Sequence, residues 1–173
     1  MINPLIDKRH LMEYLFYGIM AGIAFIIPVI IFLTHNDYEN FYYLFIGSAL
    51  FMFVILFYCI RLSSRSYDKK RAVSMMIAGH AATFAGVYFS CLFTVISFLF
   101  FNPALFSPMH PDKVVENSTP WMQPDKPVEL LFFILSVATI ANFSVGSFIS
   151  IVTAYASKVN QTKDKAVPLE THI

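Results

Sequence analysis

The sequence predicts an all-α integral membrane protein, a bundle of four transmembrane helices in up-down-up-down order. Of the 173 residues, 57% are hydrophobic and only 13% are charged, against about 25% charged in an average soluble domain. The mean hydropathy is +0.63. The apolar residues form four long runs, none of which contains Asp, Glu, Lys or Arg. This composition excludes a disordered chain, a soluble nucleic-acid binder and, with two cysteines, a disulfide scaffold.

Each apolar run is long enough for one membrane-spanning helix. A helix needs about 20 apolar residues to cross about 30 Å of hydrocarbon, and a helix satisfies its own backbone hydrogen bonds there. The runs also lack the alternation of a strand. The predicted helices cover residues 12–34, 41–61, 72–101 and 129–156. They form one transmembrane domain, 1–156, and we expect the polar segment 157–173 to be a disordered cytoplasmic tail.

The segment 102–128 is predicted to be an extramembrane loop. It contains six of the nine prolines, which exclude a long helix. Most helix connections in bundles are much shorter. Two interpretations remain open, a loop that caps the bundle and a loop that binds a partner.

The distribution of basic residues predicts the orientation of the chain. Ten of the 12 Lys and Arg lie before the first run, between the second and third, or after the fourth. The positive-inside rule therefore places both termini in the cytoplasm. Tyr14, Tyr17, Tyr58 and Tyr155 would lie at the inner interface. The small size and short loops favour a bacterial inner membrane.

A basic cluster occupies the predicted inner loop between the second and third helices. Its members are Arg61, Arg65, Lys69, Lys70 and Arg71. Such a cluster attracts anionic headgroups with about 1 kcal/mol per cation. The cluster is interpreted as a headgroup-binding segment or as a topology determinant, and the two roles are compatible.

Small residues recur at helical spacing and predict where helices pack. Lipid tails are as apolar as the side chains, so the hydrophobic effect does not drive helices together in a membrane. Close packing and hydrogen bonds between helices must hold the bundle together. The stripes are Gly18 and Gly22 in the first helix, Ala78, Ala82, Gly86 and Ser90 in the third, and Thr139, Asn142, Gly146, Ser150 and Thr153 in the fourth. The first, third and fourth helices are therefore expected to pack tightly, and the bulkier second helix to lie more peripherally.

Three polar residues in or beside the runs are candidates for function. His80 is the only histidine inside a run, and Glu13 lies at the edge of the first run, near the same predicted level. A Glu13–His80 hydrogen bond is therefore geometrically possible. Asn142 lies near the predicted middle of the membrane. Such residues serve proton or substrate pathways, or they join helices by hydrogen bonds.

No sequence motif indicates an enzyme. The chain lacks the common phosphate-binding, nucleophile and metalloprotease motifs, and we expect no cofactor or metal. The first hypothesis is a non-enzymatic accessory, scaffold or assembly partner in the membrane. The alternative is a small oligomeric transporter or channel that uses His80, Glu13 and Asn142 along a polar path. The expected partners are the lipid bilayer and either another membrane protein or a second copy, and no nucleic acid.

Overall fold

The computed structural model describes residues 8–35, 37–64, 72–101 and 127–163, which are nearly all helical and contain no strand. The elements are α1 Lys8–His35, a 3-10 turn Tyr38–Phe41, α2 Tyr42–Ser63, α3 Ala72–Phe101, α4 Pro127–Ser136, a π turn Val137–Ala141 and α5 Asn142–Lys163. The predicted loop 102–128 and tail 157–173 fall mostly outside the described residues. Their ends are helical, since α4 begins at Pro127 and α5 continues to Lys163.

Four helical segments are long and apolar enough to cross a membrane. They are His10–His35, Glu39–Ser63, Val73–Phe101 and Val128–Ser157. The fourth segment is composite, because it joins α4, the π turn and α5. The helices are thus at the places where the apolar runs predict them.

The four segments alternate in direction. At one end of α1 and α2, the rings of Phe32 and Phe41 lie 5.2 Å apart. At the other end, the rings of Tyr17 and Tyr58 lie 4.9 Å apart, so these helices are antiparallel. Contacts between α3 and α5 are antiparallel in the same way, and α1 runs parallel to α3.

Each segment has two main neighbours in the bundle. α1 packs most extensively against α3 and then against α2, and α5 packs against both α3 and α2. The Oγ atoms of Ser63 and Ser157 lie 2.7 Å apart where α2 and α5 end side by side. We call this end of the bundle the Arg61 end.

The peripheral position expected for α2 is wrong. Leu44, Phe51 and Ile55 of α2 are fully buried against the rest of the bundle. The reason is that α2 uses the small residues of its neighbours. A Cβ atom on Gly86 of α3 would lie 2.7 Å from Cε2 of Phe51, so the glycine provides the space that the ring fills. A helix of large side chains can therefore be well buried in the bundle without a small-residue stripe of its own.

The fourth segment contains a π turn that the sequence did not predict. Ser136 Oγ donates to the carbonyl of Phe132 at 2.8 Å, and Thr139 Oγ1 donates to the carbonyl of Leu135 at 2.8 Å. Hydroxyl groups that bond to the preceding turn favour local bending of a helix. The turn directly precedes Asn142, and π turns often occur next to functional residues.

A buried stripe with a strict spacing of four residues runs through the fourth segment. Its members are Leu130, Ile134, Ala138, Asn142, Gly146, Ser150 and Ala154. In a straight α-helix four residues turn by about 400°, so such a stripe drifts by about 40° at each step. The wider π turn compensates part of this drift and keeps both halves of the stripe facing the bundle.

Candidate functional site

Asn142 is fully buried between α5 and α3. Its Nδ2 atom lies 3.5 Å from Ser90 Oγ, which is also fully buried, so this hydrogen bond is long and weak. Within the described part of the chain, Oδ1 of Asn142 has no hydrogen-bond partner. A buried polar atom without a partner typically costs about 1–3 kcal/mol. Asn142 therefore joins two helices weakly and retains one unused acceptor.

Buried hydroxyl oxygens on other helices also lack a hydrogen-bond partner among the described residues. Examples are those of Ser48 of α2, Thr94 of α3 and Ser147 of α5. In contrast, Thr83 and Ser150 donate to carbonyl oxygens of their own helices at 2.9 and 2.7 Å. The interior thus contains polar atoms that the helices themselves do not satisfy.

Small residues bring α3 and α5 into close contact on the Arg61 side of Asn142. A Cβ atom on Gly146 would lie 2.5 Å from Cγ2 of Thr83. A Cβ atom on Gly79 would clash with the side chain of Ser150. These contacts fix the spacing of the two helices and hold Asn142 opposite Ser90.

The stripe on α1 contacts α3 at residues next to the predicted ones. A Cβ atom on Gly18 would lie 2.6 Å from Cβ of Ala85, and one on Gly22 would lie 2.9 Å from Cβ of Phe89. Of the predicted α3 stripe, Ala78, Ala82, Gly86 and Ser90 are all buried. The stripe therefore serves several interfaces, since Gly86 accommodates Phe51 of α2 and Ser90 faces Asn142.

His80 lies on the outer side of α3. Its Nδ1 atom is 2.8 Å from the carbonyl oxygen of Met76, one turn earlier in the same helix. The side chain is half-buried and lines a shallow concavity of about 290 Å³ that is formed by α3 alone, with Met76, Ile77, Ala81 and Phe84. Its hydrogen bond thus lies within α3, and Glu13 is half-buried on α1.

The three polar candidates therefore do not converge on one site. His80 faces outward from α3, Asn142 lies in the α3–α5 interface, and Glu13 lies near the start of α1. The concavity at His80 does not include Asn142 or Glu13.

Arg61 and Tyr17 form a pair that the sequence analysis missed. Nη1 of Arg61 donates to the hydroxyl oxygen of Tyr17 at 3.1 Å. Tyr17 is held by rings of both helices, since its centroid lies 5.5 Å from that of Phe16 and 6.4 Å from that of Phe57. The other members of the basic cluster, Arg65, Lys69, Lys70 and Arg71, lie outside the described residues. The sequence predicts Tyr17 at the inner interface and Arg61 in the adjoining inner loop. Only the register of α1 against α2 shows that the two side chains meet.

Potential metal ligands are scattered in the described part of the chain. Among the residues with a described placement, no three or more His, Cys, Asp or Glu side chains cluster in a way that could hold one. Both cysteines are free, and Cys91 Sγ lies 3.4 Å from Thr139 Oγ1 beside the π turn.

Comparison of the chain with protein families, with curated proteins and with solved structures found no match. The class of protein is therefore defined by the chain itself: a helical bundle with four segments long and apolar enough to span a membrane.

Proposed function

We propose that the chain is a multi-pass integral membrane protein that acts without catalysis, as an accessory, scaffold or assembly subunit. The observation that carries this proposal is the dispersal of its polar candidates. Asn142 is enclosed in a helix contact, and His80 faces away from it on the outside of α3. A polar path would require such groups to line a common cavity.

The uneven burial of the four segments is consistent with this role. About 50% of the most apolar window of the first segment is buried inside the bundle, but only 28% of the third and 22% of the fourth. The outer surfaces of α3 and α5 therefore have the most area available for a second membrane protein or a second copy.

The proposal includes an orientation. Both termini and the basic loop 61–71 lie in the cytoplasm, because the excess of Lys and Arg falls on that side. The host membrane is proposed to be a bacterial inner membrane.

Purification in a mild detergent followed by native mass spectrometry tests the role. We expect a stoichiometric partner subunit, whose retention is reduced by Phe148→Ala, since Phe148 is an exposed ring of α5. Phe45→Ala is the matched control, because Phe45 of α2 is equally exposed, at 61% against 64%. A homo-oligomer that carries a bound small molecule would contradict the accessory role.

A small oligomeric transporter or channel is the second candidate. It is favoured by the unpaired polar atoms of Asn142, Ser48, Thr94 and Ser147, since such atoms in a membrane protein often contact water. Ser90→Cys in a Cys59→Ser, Cys91→Ser background separates the two roles. A charged thiol reagent that labels residue 90 but not the outward-facing control Phe84→Cys indicates a hydrated path. Absence of labelling at residue 90 favours the accessory role.

A further inference from the structure

An open groove runs along the outer surface of the bundle between α1 and α2. Its volume is about 410 Å³, within the range of about 300–1,000 Å³ typical of small-molecule sites. The walls include Phe16 and Met20 of α1 and Phe53 and Phe57 of α2. At 1.5 Å per residue, the part of α2 from Phe53 to Arg61 is about 12 Å long. The groove is therefore an apolar trough with a single charged residue at one end.

The charged end is a guanidinium group held in place. Tyr17 is the hydrogen-bond partner that the structure gives to Arg61, and a guanidinium has five N–H donors. The Tyr17 ring is buried between the two helices, with the centroid of Tyr58 at 4.9 Å. Its hydroxyl therefore fixes the Arg61 side chain at the mouth of the groove, while the exposed guanidinium can bind an anion.

The ligand must match both parts of the groove. A planar guanidinium binds phosphate oxygens in a bidentate way, and the trough suits a flexible apolar chain. The four apolar runs of a second copy contain no Asp or Glu, so one of these runs would fill the trough without giving the guanidinium an anion. The further basic residues of the segment 61–71 raise the local concentration of anionic lipid at this end.

We propose that the α1–α2 groove is a binding site for an anionic glycerophospholipid, with its phosphate on Arg61 and one acyl chain along Phe16, Met20, Phe53 and Phe57. The lipid comes from the leaflet at the Arg61 end. The inference rests on the membrane insertion proposed above, but not on the accessory role, so either can fail without the other.

Native mass spectrometry of the delipidated full chain tests this site. The protein in detergent is titrated with phosphatidylglycerol and with phosphatidylcholine of the same acyl chains. We expect tighter retention of phosphatidylglycerol and a loss of about tenfold or more in its apparent affinity in Arg61→Gln, because this variant removes charge-assisted hydrogen bonds to the phosphate. Arg65→Gln is the matched control, because it removes one charge from the same basic segment, and it should lose at most the roughly fivefold that diffuse attraction by one cation gives.

The apolar wall has its own pair of variants. Phe57→Ala removes an exposed ring of the groove and should weaken lipid retention, whereas Phe45→Ala removes an equally exposed ring of α2 outside the groove, at 61% against 60%, and should not. Tyr17→Phe keeps the ring but releases Arg61, so it should weaken the binding of phosphatidylglycerol more than the binding of phosphatidylcholine.

Two results would overturn the proposed site. Equal losses of affinity in Arg61→Gln and Arg65→Gln would indicate diffuse attraction, and so would equal retention of both lipids by the parent chain. Flotation of each variant with membranes separates a failed site from failed insertion.

Discussion

The ring of Phe51 on α2 lies directly against Gly86 on α3, where a Cβ atom would approach Cε2 of the ring to 2.7 Å. Phe51 is fully buried. The contact reaches from α2 to α3, although the main neighbours of α2 are α1 and α5. It pairs one of the largest apolar side chains with the smallest residue, so the fit depends on both positions.

Gly86→Ala should therefore destabilise the bundle by about 1–3 kcal/mol, the usual effect of an overpacked core. The gain of about 1 kcal/mol in helix propensity offsets part of this. The measurement is thermal unfolding in detergent. In a Phe51→Leu background the same substitution should cost less, with a coupling of about 0.5–3 kcal/mol between contacting residues. Additive effects of the two substitutions would contradict the contact.

Gly18→Ala should separate α1 from α3. The added methyl group would meet both Cβ of Ala85, at 2.6 Å, and the backbone nitrogen of Gly86, at 2.9 Å. Neither atom belongs to a flexible side chain, so the helices themselves must move apart. We expect a lower unfolding temperature in detergent, with the loss exceeding that of Ala49→Leu, which adds apolar atoms at an exposed position of α2. Equal effects of the two substitutions would show that the α1–α3 contact at Gly18 tolerates a methyl group.

Asn142→Leu should leave the stability of the bundle within about 1 kcal/mol of the parent chain. The substitution removes a weak bond to Ser90 but also removes the buried Oδ1 that lacks a partner, and hydrogen bonds between membrane helices average about 0.6 kcal/mol. Asn142→Asp should destabilise strongly, because it places a carboxyl group of similar size at a fully buried position. Unfolding in a denaturing detergent measures both. A loss above about 2 kcal/mol in the leucine variant would reveal a stronger bond at Asn142.

Cysteine labelling tests the orientation of the chain. In a Cys59→Ser, Cys91→Ser background, Asn117→Cys should react with a membrane-impermeant maleimide added to intact cells, and Ser66→Cys should react only after the cells are opened. The expectation follows from the excess of Lys and Arg in the segments at the Arg61 end. Labelling of residue 66 but not 117 in intact cells would reverse the proposed topology.

The four apolar runs were enough to predict the helices, because a length of about 20 residues without charge is a strong signal. The burial of Phe51 on α2 was not predictable from the composition of α2, since the space that its ring fills belongs to Gly86 of another helix. The π turn was also missed, because Ser136 and Thr139 are common in ordinary helices and their bonds to Phe132 and Leu135 become visible only in three dimensions.

For the candidate sites, too, the sequence identified the residues but not how the helices bring them together. Sequence reasoning selected His80 and Asn142 because polar residues are rare in apolar runs. It could not show that His80 faces outward and Asn142 inward, since this depends on how α3 and α5 are rotated about their axes. The pairing of Arg61 with Tyr17, 44 residues apart in the chain, depends on the register of α1 against α2, which composition does not encode.

The π turn has a consequence for any attempt to re-engineer the fourth segment. It separates two α-helical halves whose facing is set by the number of residues between Ile134 and Asn142. Deleting one residue there would let the turn wind as ordinary α-helix, since seven steps of about 100° turn by about 700° and leave Ile134 and Asn142 on nearly the same face. Inserting one residue would instead swivel Leu130 and Ile134 by about 100° around the axis. Chimeras and fusions made in this stretch should therefore tolerate a shortening by one residue better than a lengthening.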